Sequence, residues 1–286
     1  DFLNDLLALL LEGCAGVQLY SRGGVPGLVF ASHNLDVTYP NTGVVKFTLS
    51  GHPGAYSWTQ SSYSAGPMPM VVYVPPAPGL PDSIPNGMVF GPDGELYVVD
   101  SRQGALFEVP PGGGAPSVVF VDPVFGYAGG GVMGLNGIKL DPDREFIYFS
   151  FTGGPSPAPG YVPDATGKIY RLPLDGVSVA PELVYEYGVY DMPDGLSFDK
   201  DENLYVVLGG VNEISVLSEM NDTWLETSYL SGPNGSSLAY SGPSTISLDD
   251  HGRYALVVNH DLFAPPTSTT FGVNKVYVGV RGDSLP

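Results

Sequence analysis

Leu135-Asn136-Gly137-Ile138-Lys139-Leu140-Asp141-Pro142-Asp143, running on to Ile147-Tyr148-Phe149, is the stretch from which the rest of the chain can be read. It has a short alternating strand, an acidic turn with proline, and a second strand of aromatic and branched residues, the pattern of an antiparallel hairpin. The pattern recurs at Pro85-Asn86-Gly87-Met88-Val89-Phe90-Gly91-Pro92-Asp93-Gly94 with strand 96–99, and at Pro193-Asp194-Gly195-Leu196-Ser197-Phe198-Asp199 with strand 204–207. A fourth copy is Pro243-Ser244-Thr245-Ile246-Ser247-Leu248-Asp249 with strand 255–258. The equivalent positions Asn86, Asn136, Asp194 and Ser244 are 50, 58 and 50 residues apart.

Each copy continues into a third strand, read at 105–109, 168–172, 213–217 and 275–278, and two copies into a fourth, read at 117–121 and 182–185. Four antiparallel strands repeated at this period predict an all-β chain folded as a β-propeller, whose blades stack radially. The clear repeats occupy residues 81–286, and the first 80 residues have room for one or two more blades. Six four-stranded blades fit the length best, with five as the alternative, in a single domain spanning 1–286. In the irregular amino-terminal part, 27–32 and 43–49 read as strands and 70–74 as a strand leading into the next blade. The segment 51–69 carries no strong pattern.

Composition agrees with this reading and narrows the function. Glycine (39) and proline (28) supply the turns that such blades need, and only 14% of the 286 residues are charged, which argues against long surface helices. The formal net charge of −19, without any basic stripe, excludes a nucleic acid partner. Cys14 is the single cysteine, so neither an internal disulfide nor a thiolate zinc site can form. The apolar run 6–11 is too short to span a bilayer and follows acidic residues, so no membrane association is expected. Two acceptor sequences for glycosylation, Asn221-Asp222-Thr223 and Asn234-Gly235-Ser236, point to a secreted glycoprotein or one of the secretory pathway.

The innermost strands of a propeller converge on one mouth of a central channel, so Asn86, Asn136, Asp194 and Ser244 are brought together from distant parts of the chain. Their oxygen atoms suit a hard divalent cation. The alternative is that Asn-Gly and Asp-Gly are turn residues whose side chains bond their own backbone. His260, at the end of a second strand, is placed to reach the channel rim.

Asn136-Gly137 and Met192-Pro193-Asp194-Gly195-Leu196-Ser197-Phe198-Asp199 resemble the Pro-Asn-Gly and Pro-Asp-Gly motifs of the SMP-30/gluconolactonase/LRE-like six-bladed propellers, in the same order. The resemblance covers residues 80–260. It implies one divalent cation, Ca²⁺ before Mg²⁺ or Zn²⁺, held by Glu12, Asn136 and Asp194, with no organic cofactor. It further implies Asp194 as the catalytic base and Asn86 on the substrate side; Ser244 by its repeat position and His260 by its place at the rim are the other substrate-binding candidates. The chain departs from the family in having Leu135 before Asn136 and Cys14-Ala15-Gly16 after Glu12-Gly13.

Three functions are compatible with these residues. The first is a metal-dependent lactonase or ester hydrolase acting, as a monomer, on a small and rather apolar lactone. The second is a non-hydrolytic cyclase of fungal secondary metabolism, of the hetero-Diels–Alderase kind, in which the channel supplies proximity and shape. The third is a propeller that binds a ligand or protein without catalysis. No Gly-x-Ser-x-Gly nucleophile elbow is present. Asp199-Lys200-Asp201-Glu202-Asn203 opens like a calcium loop, but Leu204 stands at its sixth position and Gly210 at its twelfth, so a hairpin turn is expected. The tripeptide Arg281-Gly282-Asp283 is read as a chance match to an adhesive motif.

Overall fold

A computed structural model describes residues 14–20, 28–33, 43–52, 55–64, 68–72, 82–126, 133–154, 165–174, 180–231, 240, 242–249, 253–259 and 272–283. The chain divides into two compact units, Asp1–Tyr127 and Ala128–Pro286. The described elements are all strands apart from one 3-10 turn at Pro123–Phe125. In the first unit, β1 (Cys14–Tyr20), β2 (Leu28–His33), β3 (Val44–His52) and β4 (Ala55–Ser62) form one sheet in sequence order. A second sheet holds β5 (Pro85–Phe90), β6 (Leu96–Asp100), β7 (Ala105–Val109) and β8 (Ser117–Val121). The second unit contains β9 (Met133–Leu140), β10 (Phe146–Gly153), β11 (Lys168–Pro173) and β12 (Glu182–Glu186), then β13 (Pro193–Phe198), β14 (Leu204–Leu208), β15 (Glu213–Glu219) and β16 (Trp224–Ser231). Its third sheet is β17 (Pro243–Leu248), β18 (Tyr254–Asn259) and β19 (Gly272–Tyr277). Every pairing within these sheets is antiparallel between sequence neighbours, the up-and-down order of a propeller blade.

Burial falls from the second strand to the fourth. Every residue of β6 and of β14 is buried, since both faces of these strands are covered, which is why they read as continuous apolar runs. The outer strands β8 and β12 are exposed or half-buried along their whole length. Three strands therefore lie where no apolar pattern marks them. β1, β4 and β16 were not anticipated, and the pattern-free segment 51–69 contains β4. Conversely, the apolar run read as a strand at 70–74 is irregular at Met70, Val71 and Val72. The Val71 N–H donates to Gln103 Oε1 at 2.8 Å, and Gln103 Nε2 donates to the Pro69 carbonyl at 3.1 Å, so a side chain takes bonds that a neighbouring strand would otherwise take.

The acidic turns do structural work. Asp199 is fully buried, and its Oδ1 accepts from the N–H groups of Asp201 and Asn203, both at 2.9 Å, while Oδ2 accepts from Asn203 Nδ2. This is the expected hairpin, closed by a carboxylate rather than by an ion. Asp141 caps its own turn in the same way, accepting from Glu145 and Phe146, and burial raises its pKa more than those two backbone bonds lower it. In the β5–β6 hairpin, glycine stands in place of this aspartate. A Cβ on Gly91 would overlap the Glu95 carboxylate, which is buried and hydrogen-bonded to Tyr97 as Asp199 is to Tyr205. The carboxylate has moved four residues along the sequence while keeping its place in the fold. Gly91→Asp alone should therefore destabilise the protein by about 1–3 kcal/mol through overpacking. Adding Glu95→Ser should recover much of that loss in a double-mutant cycle read by urea unfolding. Simple additivity of the two changes would contradict the exchange.

Arg281-Gly282-Asp283 is held against the β13–β14 turn. The Arg281 carbonyl accepts from Lys200 N–H, Gly282 N–H donates to the Asp249 carbonyl, Asp283 N–H donates to that of Phe198, and Asp283 pairs with Arg144 at 2.8 Å. The tripeptide is thus part of the sheet packing.

Candidate functional site in the second unit

The innermost strands β9, β13 and β17 lie side by side because two glycines let their backbones touch. A Cβ on Gly137 would overlap the Asp194 carbonyl oxygen and lie 3.0 Å from Gly195 Cα; one on Gly195 would lie 2.6 Å from Thr245 Cα. Neither glycine has a positive φ, so it is space, not backbone freedom, that demands them. Asn-Gly and Asp-Gly are therefore strand residues rather than turn residues.

A register shift falls beside each polar position: between Pro85 and Met88, opposite Asn136 between Phe149 and Phe151, between Pro193 and Leu196, and between Pro243 and Thr245. Such bulges bend a strand and re-aim its side chains. The repeated bulge explains how Asn86, Asn136, Asp194 and Ser244 leave the alternation that the rest of each strand obeys.

Two buried hydroxyls on β10 tie β9 to β13. Ser150 Oγ accepts from Gly137 N–H at 2.8 Å and donates to the Asp194 carbonyl at 2.7 Å. Thr152 Oγ1 accepts from Asn136 Nδ2 at 3.1 Å and donates to the Pro193 carbonyl at 2.8 Å. Neither was singled out from the sequence. The signal was present in β10, where Ser150 and Thr152 alternate with Phe149 and Phe151 on a strand buried on both faces. A hydroxyl repeated at period two in such a strand must find partners on one side.

The Asn136 amide lies beside the Asp194 carboxyl and favours its charged form. Burial pushes the Asp194 pKa up to about 8, and the Asn136 hydrogen bond offsets only part of that rise. No lysine or arginine among the described residues forms an ion pair with it. Ser244 is half-buried on β17, where its carbonyl lies against Gly195. Asn86 belongs to the first unit, and there its Nδ2 donates to Ser101 Oγ at 3.1 Å. Glu12 and His260 lie outside the described residues, as does Asn234, whereas Asn221 and Asp222, with φ of 53° and 59°, form the exposed tip of the β15–β16 hairpin.

The Asn136–Asp194 pair fits a hard cation. A half-buried carboxylate without a cationic side chain, beside an amide whose oxygen can ligate, is an oxygen donor set lacking its counter-charge. Among the described residues no group of three or more His, Cys, Asp or Glu side chains converges, so the amide is an essential part of that set. A separate cleft of about 180 Å³ contains Glu186, Asp191, Glu213 and Glu226. There, Glu226 accepts from Ser215 and Tyr185, Asp191 from Gly188 N–H and Glu186 from Thr166, so its charge is largely absorbed by the protein.

In structure, the chain is similar to regucalcin from Agrobacterium tumefaciens, described as a calcium-binding protein. The TM-score is 0.58 and the identity 13%, over 93% of this chain and 76% of that one. It is also similar to a gluconolactonase from Xanthomonas campestris, with a TM-score of 0.50 and 15% identity, over 96% and 85% of the two chains. The fold is that of the SMP-30/gluconolactonase-like propellers. No family model matches the chain. In sequence it is 29% identical over 142 residues to lactonase drp35 of Staphylococcus epidermidis, and 27% identical over 142 residues to lactonase drp35 of Staphylococcus haemolyticus. Each match covers 47% of this chain and 38% of the relative, so the chain spans well under half the length of these curated relatives. Both comparisons agree with the resemblance carried by Asn136-Gly137 and Pro193-Asp194-Gly195.

Proposed function

We propose that the chain is a divalent-cation-dependent lactonase whose reaction centre is the Asn136–Asp194 pair. The observation that carries this reading is the half-buried Asp194 carboxyl, beside a neutral amide and paired with no cationic side chain among the described residues. The lactonases among the relatives, and the calcium-binding protein among the structural neighbours, support the same chemistry. Asn136 and Asp194 would hold the cation, with Glu12 as the third ligand implied by the sequence. Bound there, it would polarise a lactone carbonyl and favour the ionised form of Asp194. Burial makes that carboxylate a stronger base than an ordinary one, so it can take a proton from the attacking water at neutral pH. The water oxygen bonds to the carbonyl carbon, the ring C–O bond breaks, and the released alkoxide takes up the proton, giving a hydroxy acid. Low charge in the chain, 14%, supports a small, rather apolar lactone. The exposed Asn221-Asp222-Thr223 tip supports a secretory route.

The test is hydrolysis of a panel of uncharged lactones followed by pH-stat, before and after chelation and after Ca²⁺ is restored. The expected result is hydrolysis of at least one lactone, lost on chelation and regained with Ca²⁺. Hydrolysis indifferent to chelation, or none on any lactone, would contradict the reading.

A further inference from the structure

We infer that Thr152 is a positioning residue of this site: its hydroxyl holds the Asn136 side chain with the amide nitrogen turned inward and the carbonyl oxygen left to ligate. Asn136 Nδ2 gives one hydrogen to Thr152 Oγ1 at 3.1 Å, and the amide lies beside the Asp194 carboxyl. No hydrogen bond among the described residues uses Oδ1. Thr152 is itself fixed, being 2% exposed and donating to the Pro193 carbonyl. An amide that is free to turn over would present nitrogen or oxygen to a cation in turn, and only oxygen ligates.

The repeat supplies an internal comparison. Leu135 pairs with Phe151, Pro85 with Asp100 and Pro193 with Leu208. The residue after each inner partner lies diagonally across from the residue after its mate: Asn136 from Thr152, Asn86 from Ser101, and Asp194 from Gly209. Both asparagines meet a hydroxyl, and both donate to it at 3.1 Å. The aspartate, whose two oxygens are equivalent and need no choice of face, has a glycine at the corresponding diagonal position. A hydroxyl used only to fill space between blades would have no reason to follow the amide in this way.

The inference rests on the lactonase reading only through the cation. It is tested by titrating the chelated, full-length protein with Ca²⁺ alone in a calorimeter, beside Thr152→Val and Thr152→Ser, with thermal unfolding of each as a control. Loss of a group that orients a metal ligand costs about 10–100-fold in affinity, the weakening expected for Thr152→Val. Thr152→Ser keeps the hydroxyl and should bind close to the unaltered protein. If Thr152→Val does not fold, Thr152→Ala takes its place in the same titration. Calcium binding by the valine variant equal to that of the unaltered protein would overturn the role of Thr152 alone, as would a serine variant as weak as the valine one. No calcium binding by the unaltered protein would instead sink the cation site, and the role of Thr152 with it.

Discussion

Asp194→Asn is expected to lower lactone hydrolysis by about 10²–10⁴-fold, the range that a positioned general base contributes. The change keeps the shape of the side chain and its contact with Asn136, but removes both the charge and the base. It should also alter how stability depends on pH, in a direction that the burial of Asp194 fixes. Burial holds its carboxyl protonated up to about pH 8, whereas an unfolded chain loses that proton near pH 4. Between those values the folded state binds more protons than the unfolded one. The stability of the chelated protein therefore falls as pH rises from 4 to 8, and the contribution of this group levels off above that. Thermal unfolding of chelated protein across this range, beside Asp194→Asn, isolates the effect from that of the other acids. The variant should lose part of the downward slope, and an identical slope in both proteins would mean that Asp194 ionises normally.

Gly137→Ala should be among the most damaging single changes in the second unit. The added Cβ would meet the backbone of β13 at Asp194 and Gly195, and backbone cannot swing aside as a side chain can. Separating β9 from β13 would also stretch the two bonds through Ser150. A loss of about 3 kcal/mol or more is expected, at the upper end of overpacking costs and a large part of ordinary domain stability. Gly272→Ala is the control. Nothing lies within 4 Å of its Cβ position and its φ is not positive, so it should be neutral or stabilise by about 0.4–1 kcal/mol. Equal urea midpoints for the two variants would contradict the close approach of β9 and β13.

The sequence made the inner half of each described blade legible and the outer half much less so, for a reason visible in burial. Strands such as β6 and β14 are covered on both faces and read as apolar runs, and a tight acidic turn precedes each of them, capped before β14 by Asp199. β8 was readable from Val118, Val119 and Val121, but β4, which alternates aromatic and hydroxyl residues, and β16, which mixes them with Leu225, Glu226 and Leu230, carry no such signature. By residue type, turn aspartates belong on the solvated surface. Asp199, fully buried beneath three hydrogen-bond donors from Asp201 and Asn203, shows that a turn carboxylate can be an interior group.

Of the site, Asn136 and Asp194 could be found because Asn-Gly and Asp-Gly recur in register. Ser150 and Thr152 were passed over because the second strand was read only as far as Phe149, whereas β10 runs on to Gly153. Ser244 has its carbonyl against Gly195, and Asn86, like Asn136, donates its amide to a hydroxyl of the neighbouring strand, Ser101.

The account depends most on one statement, that Asn136 and Asp194 together bind a divalent cation. Calorimetric titration of the chelated protein with Ca²⁺, beside Asn136→Ala and Asp194→Asn, tests it without needing the substrate. A single saturable site in the unaltered protein, lost in both variants while their folds persist, is the predicted result. Calcium binding that survives both substitutions unchanged, or is absent from the unaltered protein, would contradict it.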